Sequence, residues 1–217
     1  MTSPFSIKNE LIQIGQRLYE RGFIAGTDGN ISVRLDDDRI LVTPSGLDKG
    51  RLAPDELVVV NLEGKKLQGH LSPSTEIAMH LYVFRRRPEI IACVHAHPPY
   101  ATAFAVSGKR LPDNVLPEVV LSVGDIPLTD YAPPGTELVP QVIAPHVAAS
   151  NAFLLRNHGL LTIGRSLIEA YNRHETVEHY AHILHLAHQL GNVNHIPKDD
   201  LRRLEDIRRS NDSTPLR

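Results

Sequence analysis

The sequence predicts a layered α/β fold, and three observations predict it. Ile90–Val94 is a continuous apolar run, the pattern of a buried strand, and Pro98-Pro99 soon stops any ladder. Ser6–Arg21 sets Ile7, Leu11, Ile14 and Leu18 at helical spacing. Strand-like and helix-like stretches then alternate along all 217 residues with no internal repeat or low-complexity linker. One domain over residues 1–217 is expected, with a frayed tail at 210–217.

Composition narrows the function classes. Hydrophobic residues make up 41% and charged residues 22% of the chain, as in an ordinary globular protein. A net charge of -2 gives no basic face for nucleic acid. Tryptophan is absent and aromatics are 5%, which argues against base-stacking platforms. The single cysteine, Cys93, sits inside the apolar run and reads as a core residue. No run is long enough to span a bilayer, and Met1-Thr2-Ser3-Pro4 does not open like a signal peptide, so a cytoplasmic protein is expected.

The elements follow in order. Ser6 is a candidate cap for the first helix and Gly22 its stop. Gly26–Asn30 is a turn cluster before a strand at Ile31–Leu35. Asp36-Asp37-Asp38 is a solvated hairpin tip, followed by strands at Arg39–Thr43 and Leu57–Asn61. Ser74 reads as the cap of a helix running to about Arg86, with Thr75 and Glu76 in its first turn. Three loops rich in glycine or hydroxyls, at 26–30, 43–46 and 72–76, could converge on one anion.

Beyond the central strand, Tyr100–Val106 reads as a short helix. Val119–Val123 and Ile126–Tyr131 read as strands, and Thr136–Ser150 as a helix interrupted at Pro145. Ala152–Arg156 and Leu160–Ile163 form a hairpin through Asn157-His158-Gly159. Ser166–Leu190 is a long helix whose His179, His182, His185 and His188 drift around its surface, and Pro197–Arg209 is a charged helix.

His95 and His97 carry the chemistry. In a strand, residues i and i+2 share a face, so the two imidazoles form a chelating pair at the strand mouth. His158, at its hairpin turn, is either an exposed residue or a third ligand, should that hairpin lie beside the Ile90 strand. Three protein ligands with an open position mark a catalytic rather than a structural metal site.

Taken in order, Gly26-Thr27-Asp28-Gly29-Asn30, Thr43-Pro44-Ser45-Gly46, Ser72-Pro73-Ser74-Thr75-Glu76, His95-Ala96-His97 and Asn157-His158-Gly159 resemble the class II aldolase/adducin family. Within it, they resemble the L-fuculose-1-phosphate aldolase type, from about Glu10 to Gly191. The resemblance implies a three-layer α/β/α fold around a mainly antiparallel sheet. It also implies a homotetramer with active sites at subunit contacts. It implies that His95, His97 and His158 bind Zn²⁺, with Mn²⁺ or Co²⁺ as alternatives, and that Glu76 is the catalytic acid/base. Gly29, Asn30, Ser45, Gly46, Ser74 and Thr75 would hold the substrate phosphate.

The activity implied is reversible cleavage of a ketose 1-phosphate to dihydroxyacetone phosphate and an aldehyde through an enediolate. A pentulose-5-phosphate 4-epimerase, a sugar-acid phosphate decarboxylase and a thiosugar-phosphate dehydratase share that apparatus. A non-catalytic adducin-like interaction module is the alternative from another class, and the presence of all three histidines and the glutamate argues against it. The family's tyrosines, one after the His-X-His strand and one in the C-terminal tail, are not matched: Pro117-Glu118 stands near the first, and no tyrosine follows Tyr180. Tyr131 and Glu118 are the candidate substitutes.

Overall fold

The computed structural model describes residues 4–212, with side chains over 6–210. Its strands are β1 (Asn30–Arg34), β2 (Ile40–Val42), β3 (Val58–Val60), β4 (Lys66–Gln68), β5 (Ala92–Ala96), β6 (Ala152–Leu155) and β7 (Gly159–Gly164). All seven join one sheet in the order β4-β3-β2-β1-β5-β7-β6. Every neighbouring pair is antiparallel.

Side chains alternate across this sheet. Ile31, Val33, Leu41, Val59, Ala92 and Val94 face one core, completed by α1 (Pro4–Glu20) and α6 (Leu167–Leu190). Ile40, Val42, Val58, Val60, Cys93, Phe153, Leu161 and Ile163 face a second, completed by α2 (Ile77–Arg86) and α5 (Leu138–Ile143). A third cluster joins Leu154 and Leu160 to α3 (Pro99–Ser107), α4 (Pro117–Ser122) and α6. The expected α/β/α layering is present. Cys93 is fully buried, and burial raises its thiol pKa, as suits a core residue. No described helix is long and apolar enough to cross a membrane.

Several expectations are corrected. Val119–Val123 is not a strand: Pro117 occupies the first turn of α4, Val119 and Val123 turn inward to the third core, and Val120 is buried as well. Tertiary packing there overrides the β preference of valine. Ile126–Tyr131 makes only one parallel bridge, Leu128 to Leu154, because Pro127 has no N–H to continue a ladder. The helix expected at Thr136–Ser150 is confined to α5, and turns follow it where Pro145 interrupts the bonding. Helix α1 is already formed at Pro4, so Ser6 is inside it and is not its cap. Ser210 to Asp212 continue α7 (Lys198–Asp212), while the rest of the tail lies outside the described residues. The exposed edge strand β4 was not foreseen in its polar sequence.

Candidate metal centre

Two central strands and a hairpin turn bring the three histidines together. His95 pairs with Asn30 on β1 and Leu161 on β7, and is fully buried. His97 lies just past β5, held by its backbone N–H to the Phe23 carbonyl at 2.9 Å. His158 sits in the β6–β7 turn, where Asn157 adopts the left-handed conformation at φ 56°. A Cβ on Gly159 would lie 2.6 Å from both the Ala96 carbonyl oxygen and His97 Cδ2, so glycine lets the turn close on the β5 terminus.

The donors converge. One ligand atom from each of His95, His97 and His158 lies within 4.8 Å of the others. The His95 and His158 Nε2 atoms are 3.2 Å apart. His95 Nδ1 is 3.0 Å from the Leu160 carbonyl oxygen, which can only accept. That bond puts the proton on Nδ1 and leaves the Nε2 lone pair for a cation. His97 Nε2 is buried with no hydrogen-bond partner, an orphan that a cation would satisfy. The donor set therefore fits a divalent metal. Among the described residues it is the one such group. The histidines of α6 do not form a second: His179, His185 and His188 are exposed, and His182 stacks on Tyr100 at 3.8 Å.

Glu76 is displaced by one residue from its expected place. It caps α2 instead of sitting in the first turn, yet makes no side-chain capping bond. A turn closed by the Ile77 N–H donating to the Ser74 carbonyl (3.2 Å) delays the helix. The freed carboxylate reaches His158 Nε2 at 3.0 Å and His95 Nε2 at 3.5 Å, and accepts from Asn30 Nδ2 at 2.9 Å. Burial raises its pKa, but the hydrogen bond to His158 and the electrostatic influence of the neighbouring His95, His158 and His97 outweigh this and hold it at about 2. Burial, in turn, keeps His95 well below the ordinary histidine range and lowers His97 as well. Neutral imidazoles are the state that ligates a metal, and a bound cation would then supply the counter-charge to Glu76.

The three anion loops also meet. Thr43 Oγ1 accepts from the Ile31 N–H at 3.1 Å, and the Ser74 N–H donates to the Thr43 carbonyl at 3.2 Å. Pro44 and Pro73 form an antiparallel bridge, and the Ser45 N–H donates to the Ser72 carbonyl at 3.0 Å. Gly29 and Gly46 have positive φ, 71° and 73°. Asn30, Gly29 and Ser74 are buried, while Ser45, Gly46 and Thr75 are exposed at the rim. Asn30 Oδ1 is buried without a partner.

Sequence reasoning passed over Asp28, whose Oδ2 lies 3.5 Å from His97 Nδ1. Its place in the glycine-rich turn cluster just before the first strand was the available signal. Tyr131 is 57% exposed and Glu118 is exposed on α4, and among the described contacts neither touches the histidines.

The Class II Aldolase and Adducin N-terminal domain family profile matches residues 9–185. The chain belongs to that family. It is 38% identical over 178 residues to the 3-oxo-tetronate 4-phosphate decarboxylase of Haemophilus influenzae, covering 80% of this chain and 84% of the relative. It is 33% identical over 181 residues to the L-fuculose phosphate aldolase of Methanococcus maripaludis, covering 83% and 97%. Among solved structures, an L-fuculose 1-phosphate aldolase superposes with a TM-score of 0.86 at 32% identity, covering 95% of this chain and 97% of the other. YgbL of Klebsiella pneumoniae superposes with a TM-score of 0.85 at 35% identity, covering 94% and 100%. The class II fold expected from the motifs is the fold observed, and the chain is a metal-dependent lyase of this family.

Proposed function

We propose that this lyase forms the enediolate of dihydroxyacetone phosphate by breaking a carbon–carbon bond beside the carbonyl of a phosphorylated sugar or sugar acid. The observation that carries the reading is Glu76 Oε1, 3.0 Å from His158 Nε2 inside the three-histidine cluster, with the anion loops alongside. We assign Zn²⁺ to His95, His97 and His158, with Mn²⁺ or Co²⁺ as alternatives. When bound, the cation supplies Lewis-acid stabilisation of the negative charge that develops on the carbonyl oxygen.

The chain's own residues do the rest. Gly29, Asn30, Ser45, Gly46, Ser74 and Thr75 hold the phosphate, and that remote binding orients the reacting carbon. Asn30 Nδ2 fixes the Glu76 carboxylate (2.9 Å). Substrate entering the pocket excludes water and raises the Glu76 pKa from its low resting value. With its pKa raised, Glu76 takes up a solvent proton and delivers it to the carbon freed by cleavage, and removes it in the reverse direction.

Two substrate classes deliver the same enediolate. A 3-oxo sugar-acid 4-phosphate does so by losing carbon dioxide, and a ketose 1-phosphate by losing an aldehyde. We favour the first, because relatives described as 3-oxo-tetronate 4-phosphate decarboxylases reach 38% and 36% identity, against 33% and 34% for the aldolases. Decarboxylation also needs no base at a departing hydroxyl, and the expected substitutes, Tyr131 and Glu118, are exposed. Aldol cleavage stays as the second reading, supported by the 97% of the Methanococcus maripaludis aldolase that the match covers.

The test is product analysis with metal-loaded protein on 3-oxo-tetronate 4-phosphate and L-fuculose 1-phosphate, with metal-stripped protein as control. Dihydroxyacetone phosphate with carbon dioxide supports the first reading, and dihydroxyacetone phosphate with an aldehyde the second. No triose phosphate from either refutes both. A cytoplasmic homotetramer with sites at subunit contacts belongs to the same proposal on family grounds, and light scattering measures the assembly.

A further inference from the structure

We propose that Lys49 is a positioning residue of the phosphate pocket. It locks the 26–30 loop to the 43–49 loop and keeps a fixed positive charge behind the bound phosphate monoester. This inference rests on the phosphate reading above.

The backbone at Lys49 is pinned first. The Thr43–Gly46 turn leads into a single 3-10 turn, Lys49–Arg51, capped by Asp48 Oδ1 accepting from the Gly50 N–H at 2.8 Å. Helix α1 lies directly against it. A Cβ on Gly15 would collide with the Lys49 carbonyl oxygen, and a Cβ on Gly50 would lie 2.6 Å from the Tyr19 ring. Glycine at both positions lets the helix and the turn touch, and directs the lysine stem inward.

The side chain is then buried, at 2% exposure. Its Nζ donates to the Thr27 carbonyl at 2.6 Å and the Leu47 carbonyl at 2.8 Å. Thr27 belongs to one anion loop, and Leu47 follows the other. An ammonium has three N–H donors, so one remains beyond these two bonds. Neither acceptor carries charge, and among the described ion pairs none involves Lys49. Burial lowers its pKa, opposed by the more distant charges of Asp28, Asp48 and Glu76. A buried cation without a contacting anion is costly. Its position between the two loops, bonded to Thr27 of one and to Leu47 just after the other, gives that cost a use, because an arriving dianion supplies the missing counter-charge.

The experiment uses metal-loaded protein at constant ionic strength, with inorganic phosphate as the calorimetric probe. Lys49→Met is expected to weaken phosphate binding by about tenfold to a hundredfold, the range for losing a charge-assisted bond. It should raise KM for the sugar phosphate more than it lowers kcat, with metal content unchanged. Lys49→Arg keeps the charge and is expected to restore most of the affinity. Ser45→Ala reads the pocket itself. Should Ser45→Ala weaken phosphate binding while Lys49→Met does not, the role of Lys49 is overturned and the pocket reading stands. Should neither change binding, both are overturned. If Lys49→Met does not fold, the wild-type protein still decides. A saturable phosphate-dependent shift of the Lys49 ammonium resonance, with the calorimetric midpoint, supports the inference, and no shift overturns it.

Discussion

Glu76→Gln isolates proton transfer with little other disturbance. Glutamine keeps the volume, and its amide oxygen can still accept from Asn30 Nδ2, 2.9 Å from the native carboxylate. What goes is the charge facing His158 Nε2 at 3.0 Å and His95 Nε2 at 3.5 Å, and with it any capacity to carry a proton. A positioned general acid–base contributes about 10² to 10⁴ in rate. At about 1.36 kcal/mol per decade this is roughly 3–5 kcal/mol of barrier. One hydrogen bond to His158 becomes neutral, a folding cost of about 1 kcal/mol. The three imidazoles remain, so metal content should hold.

The assay is solvent deuterium entering the hydroxymethyl carbon of dihydroxyacetone phosphate, followed by NMR. This half-reaction belongs to both the decarboxylase and the aldolase routes, so the identity of the lost fragment does not enter. Wild type should exchange, and Glu76→Gln should fall to between about 10⁻² and 10⁻⁴ of its rate. Exchange within about threefold of wild type, with a full complement of metal, would place the proton on another group and end the assignment of Glu76.

Three further outcomes are expected. His97→Ala and His158→Ala each remove one of three ligands, so elemental analysis after dialysis should show metal lost, and a chelator should inactivate the wild type until Zn²⁺ is returned. Gly159→Ala forces a Cβ to within 2.6 Å of the Ala96 oxygen and His97 Cδ2, and should cost about 1–3 kcal/mol in urea unfolding and weaken metal binding. Unchanged metal affinity would show that the turn does not set the His97–His158 geometry. Burial lowers His80 to about 4 and His174 to about 3 from 6.5. Their folded values are depressed, so their stabilising effect is complete above about pH 6.5 and is lost as pH falls towards 4 and then 3. At about pH 5 each costs roughly 2 kcal/mol, and His174→Gln should flatten that slope in urea titrations.

The residues that announced themselves in the sequence are those whose local pattern coincides with their tertiary use. Ile90–His97 combined an apolar run, an i, i+2 histidine pair and a proline stop, and β5 is the strand that presents His95. Where pattern and packing diverge, the sequence misled. Val119, Val120 and Val123 have strand-favouring side chains, yet Pro117 starts a helix that takes up Val119 and Val120 and ends at Val123, with Val119 and Val123 in the third core. Glu76 looked like a helix residue because Ser74 resembles a cap, and only the Ser74–Ile77 turn sets it one residue outside, free to face the histidines. Lys49 left no signal at all, since a lysine in a polar turn is ordinarily solvated. Its burial depends on Gly15, far away in the chain, making room for the turn.

The location of the site also bears on how one fold could serve two bond cleavages. Asn30 and His95 are paired across β1 and β5, and His95 and Leu161 across β5 and β7. Asn30 and His95 are thus fixed by the backbone ladder, and His158 by the turn that joins β6 to β7, so a shift of β5 against its neighbours would move the donors and the Asn30 hold on Glu76 relative to one another. Residues 129–136 lie beside His158 and Thr75 but form no strand: Thr129 is tied to Leu154 and Arg156, with its N–H donating to the Leu154 carbonyl at 2.9 Å, and a turn closes at Thr136. The proposed enediolate formation draws on the geometry of the first group. Choice between carbon dioxide and an aldehyde as the lost fragment needs only side chains near the departing carbon, which a loop can change at little cost to the fold. Exchanging residues 129–136 for the corresponding loop of an aldolase relative should therefore alter the product ratio while leaving deuterium exchange into dihydroxyacetone phosphate within about tenfold of wild type. Loss of that exchange with the metal still bound would mean that the loop shapes the enediolate step itself, and the proposed separation would fail.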